Sequence, residues 1–358
     1  MDKPKQLRFP ARLSVLILAA AAVCAVLPVF PLGKPLRDTA RQSWRPLLRI
    51  RDRAAVSLGS DTIGNVYLTK QRMLRKTEQY DDDRLEASVQ AVNAFADSTE
   101  QPVFLLAAPT AAGIYADTLP EQAPHADERA MLQRAAAELA GVSWIETYSR
   151  LSAAADEAIY YRTDSRWTAY GAYCAYKSAA RKLGYNAAGF DQIAIAHTGS
   201  GFSGDLAQEI QYGGGIFPPD LIDLYTVQNT APPEQILSVS AAGETALQSY
   251  YDTERAAQSG DPYAVYALAA EPVLRIETGR STGKSILLLS DSYGAPFLPL
   301  LFPHYRSLTA VNLELTEGSS WKELVMGDGA GYQQILILCS ADTLANGTLA
   351  EALPADPD

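Results

Sequence analysis

Two short stretches hold the side chains that could do chemistry. Tyr160-Tyr161-Arg162-Thr163-Asp164-Ser165-Arg166-Trp167-Thr168 puts a carboxylate, an arginine and a tryptophan at the mouth of a predicted helix. Ser290-Asp291-Ser292-Tyr293-Gly294 follows an apolar run and puts Ser292 at the turn where a buried strand becomes a helix. Such a serine stands at the C-terminal edge of a parallel sheet, where α/β sites are built. The backbone N–H groups of the following helix could hold the oxyanion of an acyl-transfer intermediate. Taken alone, the same pattern also describes a serine that only caps a helix.

A serine nucleophile needs a base within hydrogen-bond reach, and that base needs an orienting carboxylate. An Asp-x-His pair just before a helix supplies both. Here the residue two after Asp164 is Arg166, which stays protonated and cannot take the proton from Ser292. The structural reading of the stretch is a helix N-terminus, capped by Thr163 or Asp164, with Arg166 as the ion partner of Asp164. Three histidines could substitute: His125 in a loop, His197 at the start of an irregular region, and His304 after Pro303. If the helix after Ser292 is continuous, its rise of about 1.5 Å per residue carries His304 roughly 18 Å away.

The elements that must position these residues alternate. Arg84 to Ser98 reads as an amphipathic helix, Pro102 to Ala108 as a buried strand, Ala126 to Leu139 as a helix and Val142 to Ile145 as a short strand. An aromatic-rich helix follows from Thr168 to Leu183. Ser285 to Leu289 is a central strand, with further buried strands at Leu308 to Leu313 and Ile335 to Cys339. This order predicts an α/β fold with a central parallel sheet covered on both faces. Residues 186–280 break the rhythm with Gly199-Ser-Gly, Gly213-Gly-Gly and Pro218-Pro-Asp, and read as an inserted lobe of loops and short antiparallel strands.

Charge is distributed unevenly. Residues 1–53 carry 11 Lys/Arg against 3 Asp/Glu, and the rest of the chain 19 against 38. So acidic a body argues against nucleic acid as a partner. Lys3, Lys5, Arg8 and Arg12 precede an uncharged run from Leu13 to Leu32, long enough to span a bilayer, with the positive flank inside. The expected organisation is a cytoplasmic basic tail (1–12), a transmembrane signal anchor (13–32), a stalk (33–63) with Arg37, Arg41, Arg45 and Arg49 at helical spacing, an ectodomain (64–352) and a frayed tail (353–358). The alternative is secretion after signal cleavage. Cys24, Cys174 and Cys339 suggest neither a disulfide framework nor a zinc site, and neither metal nor cofactor is expected.

The two chemical stretches resemble a known family. Tyr160 to Tyr173 is similar to the signature of the DHHW proteins, named for an Asp-His-His-Trp motif; the similarity continues through Ala108-Pro109-Thr110, Tyr115 with Leu119-Pro120, and Ser290 to Tyr305. That family is similar to the SGNH-hydrolase-like proteins that acetylate bacterial exopolysaccharides, including the alginate acetylation proteins. The resemblance implies a three-layer αβα domain outside the membrane and a cell-surface polysaccharide as partner. It also implies a membrane-bound O-acyltransferase beside it. It makes Ser292 the nucleophile position, Asp164 the triad acid, and Trp167 and Tyr293 substrate-binding residues. Arg166 then occupies the place of the catalytic histidine, and Ser165 that of the first histidine in the name. The expectation is a protein of polysaccharide O-acetylation with impaired or altered catalysis. The alternative is an active serine O-acetyltransferase or acetylesterase with another base.

Overall fold

The computed structural model describes residues 49–353, apart from 53, 57, 200, 211–216, 319 and 327–330. The basic tail, the run from Leu13 to Leu32, most of the stalk, Gly213-Gly-Gly and residues 354–358 lie outside the described residues. Among those described, no helix is long and apolar enough to cross a membrane.

Thirteen strands form three sheets among the described residues. β1 (Thr62–Ile63), β2 (Val66–Leu68) and β3 (Met73–Arg75) make a small antiparallel sheet. The large sheet runs β5-β4-β13-β11-β12-β10-β8-β9. Its members are β4 (Val103–Ala108), β5 (Val142–Trp144), β8 (Gln235–Ser240), β9 (Gly243–Leu247), β10 (Val273–Glu277), β11 (Lys284–Ser290), β12 (Tyr305–Asn312) and β13 (Gln334–Ser340). The pairs from β5 to β12 are parallel. β10, β8 and β9 extend the sheet antiparallel.

The central strands are apolar at nearly every position because both faces are covered. Alternate residues feed two cores. Phe104, Leu106, Ile286, Leu288, Leu336 and Leu338 join one with the helix Ala169–Leu183. Val103, Leu105, Leu287, Leu289, Ile335 and Ile337 join the other with the helices Asp82–Asp97 and Glu128–Glu138. The three layers anticipated from the sequence are therefore present.

Three expectations change. The sheet is mixed, not wholly parallel, because residues 186–280 do not form a separate lobe. β10 pairs with β12 from Val273↔Val311 to Glu277↔Ser307 and brings β8 and β9 with it. Among the described residues of that span, only β6 (Ile193–His197) and β7 (Asp223–Val227) make an independent two-stranded sheet. Leu353, expected to begin a frayed tail, is buried behind the helix Thr348–Ala352, where Trp321 Nε1 donates to the Ala352 carbonyl. Cys174 and Cys339 are buried free thiols, as small hydrophobes should be.

His304 marks where the chain turns back into β12. The helix after Ser292 ends early, as Gly294–Phe297 followed by a tighter turn at Leu298–Leu301, and the backbone N–H of His304 closes onto Leu301. The imidazole stacks 4.3 Å from the Tyr185 ring, and its Nε2 lies 2.7 Å from the Tyr176 hydroxyl. Burial, with Arg280 nearby, pushes its pKa down to about 4. The folded state therefore holds the ring neutral where the unfolded chain binds a proton. This part of the stability should be complete above about pH 6.5 and decline as the pH falls towards 4. The expected total is roughly 2 kcal/mol, allowing for screening of the half-buried ring. Denaturation midpoints of wild type and His304→Phe at pH 7 and pH 5 check this: the variant should lose less stability between the two.

Candidate active site

Ser292 and Asp164 come together because two segments far apart in sequence are tied by reciprocal hydrogen bonds. Trp167 Nε1 donates to the Tyr293 carbonyl (2.9 Å), and the Tyr293 hydroxyl donates to the Ser165 carbonyl (2.9 Å). The two rings lie against each other at 4.9 Å. Both side chains are buried, and Trp167 is fully so. Trp167 does not line the cavity beside Ser292; its indole supports the serine turn from behind. Tyr293 does line it.

The serine turn is built around Asp291. Its carboxylate accepts from the N–H of Tyr293 (3.0 Å), the N–H of Ser340 (2.7 Å) and the Thr343 hydroxyl (2.8 Å), so the end of β13 is pinned to the end of β11. Gly294 is required by close approach: a Cβ there would fall 2.1 Å from Ser290 Oγ. The same bonds alter the oxyanion expectation. The N–H of Tyr293 goes to the Asp291 carboxylate, that of Gly294 to the Asp291 carbonyl, and that of Ala295 to the Ser292 carbonyl. These donors, aimed at an oxyanion in the sequence reading, are already engaged.

Asp164 is buried and fully bonded. Arg166 reaches it with both Nε and Nη2 at 2.7 Å, and the N–H groups of Arg166 (3.0 Å) and Asp205 (3.2 Å) complete the shell. Burial by itself would raise the Asp164 carboxyl, but these contacts outweigh it and hold the group below the usual carboxylate range. Burial likewise works against the charge on Arg166, and Asp164 more than restores it. The guanidinium also lies 3.6 Å over the Tyr263 ring, a cation–π contact that fixes its plane. Among the described residues no hydrogen bond engages its remaining nitrogen, Nη1.

The loop carrying this pair is held from outside. Asp220 accepts from the N–H groups of Arg162 and Thr163 and from the Thr163 hydroxyl. Asp205 takes the N–H and hydroxyl of Ser165, each at 2.7 Å, and pairs with Arg75 at 2.9 Å. Gly204 packs against Asp164 so closely that a Cβ would sit 2.2 Å from that of Asp164. Behind Thr110, the buried Glu128 accepts from the N–H (2.8 Å) and hydroxyl (2.7 Å) of Thr110 and from the Tyr80 hydroxyl. Burial raises its pKa to about 7 in spite of those bonds.

Ser292, Arg166 and Tyr293 open together onto a cavity of about 550 Å³, which Thr110, Asp205 and Asp342 also line. None of the three histidines reaches it. His125 is exposed, with Nδ1 against the Ala123 carbonyl; His197 pairs with Asp223 at the surface; His304 stands in its tyrosine stack. The group that does meet the serine was missed in the sequence: Ser292 Oγ donates to Glu314 Oε1 at 3.2 Å. Glu314 follows β12, the parallel neighbour of β11, so the loop carrying it emerges beside the serine turn. The buried Asn312 sets its position, accepting from the Glu314 N–H (3.0 Å) and donating to the Leu268 carbonyl (2.8 Å). The only signal available beforehand was a carboxylate just past the end of a predicted parallel strand. No group of three His, Cys, Asp or Glu among the described residues is arranged to hold a metal.

A large αβα sheet with a serine turn facing a buried Asp loop defines the SGNH-like class. Residues 66–245 match the family described as SGNH hydrolase-like domain, acetyltransferase AlgX, and the chain belongs to that family. It is similar in structure to a DHHW family protein from Eubacterium siraeum, with TM-score 0.65 and 20% identity over 82% of this chain and 98% of that one. It is also similar to Bacillus cereus PatB1, solved with a sulfonyl adduct, with TM-score 0.66 and 16% identity over 81% and 99%. Comparison with curated proteins finds no match. The DHHW resemblance read from the two motifs is thus borne out, and the stretch here reads Asp164-Ser165-Arg166-Trp167.

Because Trp167 supports the serine turn, Trp167→Phe should leave the Tyr293 carbonyl without its donor. The expected cost is about 1–3 kcal/mol of unfolding free energy, read from urea denaturation. Unchanged stability would show that the indole bond contributes nothing.

Proposed function

We propose that this chain is a serine-dependent acyl-handling domain of a cell-surface polysaccharide O-acetylation pathway. Its catalysis is altered because a fixed arginine occupies the place of the usual base. The observation that carries this reading is the Ser292 hydroxyl, which opens onto the cavity and donates to a carboxylate. A serine in a decayed pocket need not keep such a partner. The family description names an acetyltransferase, and sugar hydroxyls are the acceptors that the motif resemblance implies. The proposed setting is extracytoplasmic, with residues 13–32 as a membrane anchor and a membrane-bound O-acyltransferase supplying acyl groups.

A second reading draws on the Asp164–Arg166 pair itself. An arginine that neutralises the triad acid suits a non-catalytic polysaccharide-binding descendant with an idle serine.

Exposure to a serine-reactive fluorophosphonate, followed by peptide mass spectrometry, separates the two. Wild type should be labelled at Ser292, and Ser292→Ala should give no label at that peptide. Labelling that appears only in Arg166→His would support the idle descendant, with its scaffold intact and its chemistry given up. No label at Ser292 in wild type overturns the serine-dependent reading.

A further inference from the structure

Resting on the serine-dependent reading, we propose that Glu314 is the catalytic base for Ser292, and that Arg166, held in place by Asp164, presents a fixed guanidinium to the same cavity. Asp164 thereby has a different task from orienting a base.

Three observations support this assignment. The carboxylate is already in hydrogen-bond contact with the nucleophile, at 3.2 Å, whereas no imidazole lines the cavity. Its backbone N–H is held by the buried Asn312, which keeps the exposed carboxylate within reach of Ser292. The charged and titratable groups around it also come from separate elements. Asp291 lies in the turn after β11, Arg166 before the helix Ala169–Leu183, and Asp261 and Tyr263 in the segment before β10; Asp342 lies after β13 and Asp205 at the start of the helix Asp205–Glu209. Glu314 is exposed at the cavity mouth, yet desolvation of its carboxylate and the neighbouring Asp291 raise its pKa, with Ser292 and Arg166 pulling the other way. A carboxylate raised above its ordinary range is a better proton acceptor at neutral pH than an unperturbed one.

The proposed steps balance. Ser292 Oγ forms a bond to the carbonyl carbon of an acyl ester as its proton passes to Glu314. The tetrahedral adduct collapses with cleavage of the ester C–O bond, and Glu314 returns the proton to the departing alcohol. An acceptor hydroxyl, from a sugar or from water, then loses its proton to Glu314 and attacks the acyl-serine. Ser292 leaves and is reprotonated. Arg166 cannot exchange a proton in any step. Its charge, with Nη1 free of hydrogen bonds from described residues, is available to the negative oxygen of the adduct, whose expected turn donors are engaged.

The test is the pH dependence of fluorophosphonate labelling of Ser292 in the full-length protein. Attack on phosphorus releases fluoride and needs the same proton transfer. In wild type the rate should rise with pH as Glu314 loses its proton. Glu314→Gln should lower it at least 100-fold, within the range of general-base effects, and remove that acidic limb. Glu314→Asp, which keeps a carboxylate, should fall between the two, and matching denaturation midpoints should exclude misfolding. Wild-type rates in Glu314→Gln, or equal rates in the Asp and Gln variants, would overturn the Glu314 assignment and leave the serine-dependent reading standing. Absence of any Ser292-dependent label in wild type would overturn both.

Discussion

A buried charge must be paired, and at the centre of this fold that charge is Asp164. Its carboxylate has no water to turn to, so the surrounding structure supplies every partner: two guanidinium nitrogens, two backbone N–H groups and the flat face of Gly204. Removing one partner from such a site leaves an uncompensated buried charge, a costly outcome. The loop from Arg162 to Trp167 therefore has little freedom, and through Trp167 and Tyr293 that rigidity passes to the serine turn. Arg166 is thus part of the framework, although it stands where a proton acceptor is expected.

Under the reading advanced above, this arrangement separates two roles that a Ser-His-Asp site combines. Histidine accepts a proton and, once charged, stabilises the adduct's negative charge. Here a permanent cation stays on the Asp164 side, and a carboxylate faces the serine from the loop after the neighbouring strand. The parallel pairing of β11 with β12 brings the second group into place, because loops leaving the same ends of neighbouring parallel strands emerge side by side. The acidic balance of the cavity wall and the fixed guanidinium then set the proton affinity of Glu314 between them.

The aromatic content, which from composition suits either sugar stacking or packing, is largely structural. Tyr160, Tyr173, Tyr250, Tyr251, Tyr263 and Tyr266 are wholly or mostly buried, and each donates its hydroxyl to a backbone carbonyl. Such residues satisfy carbonyls in irregular segments while filling the core. They explain how a chain with so many loops between residues 186 and 280 keeps an ordered interior. Two of them act close to the site: Tyr263 bonds the Ser292 carbonyl and lies under Arg166, and Tyr250 bonds the Ala295 carbonyl.

The helices and central strands were legible in sequence because they depend on local periodicity and on near-continuous apolar runs, as in Val103 to Ala108 and Ser285 to Leu289. The serine turn and the Asp164 loop were legible as motifs, and so was the lack of a histidine two residues after Asp164. What the sequence left open depended on pairing between distant segments. Nothing local indicates that β10, β8 and β9 continue the main sheet, since an antiparallel strand has the same alternation whichever sheet accepts it. Trp167 looked like a ligand-facing aromatic because its burial depends on Tyr293, 126 residues away. Glu314 carried no motif. Its place beside Ser292 follows only from the parallel register of two strands, so the chain alone determined the serine turn and the lack of a histidine near Asp164, while tertiary packing determined which carboxylate meets the serine.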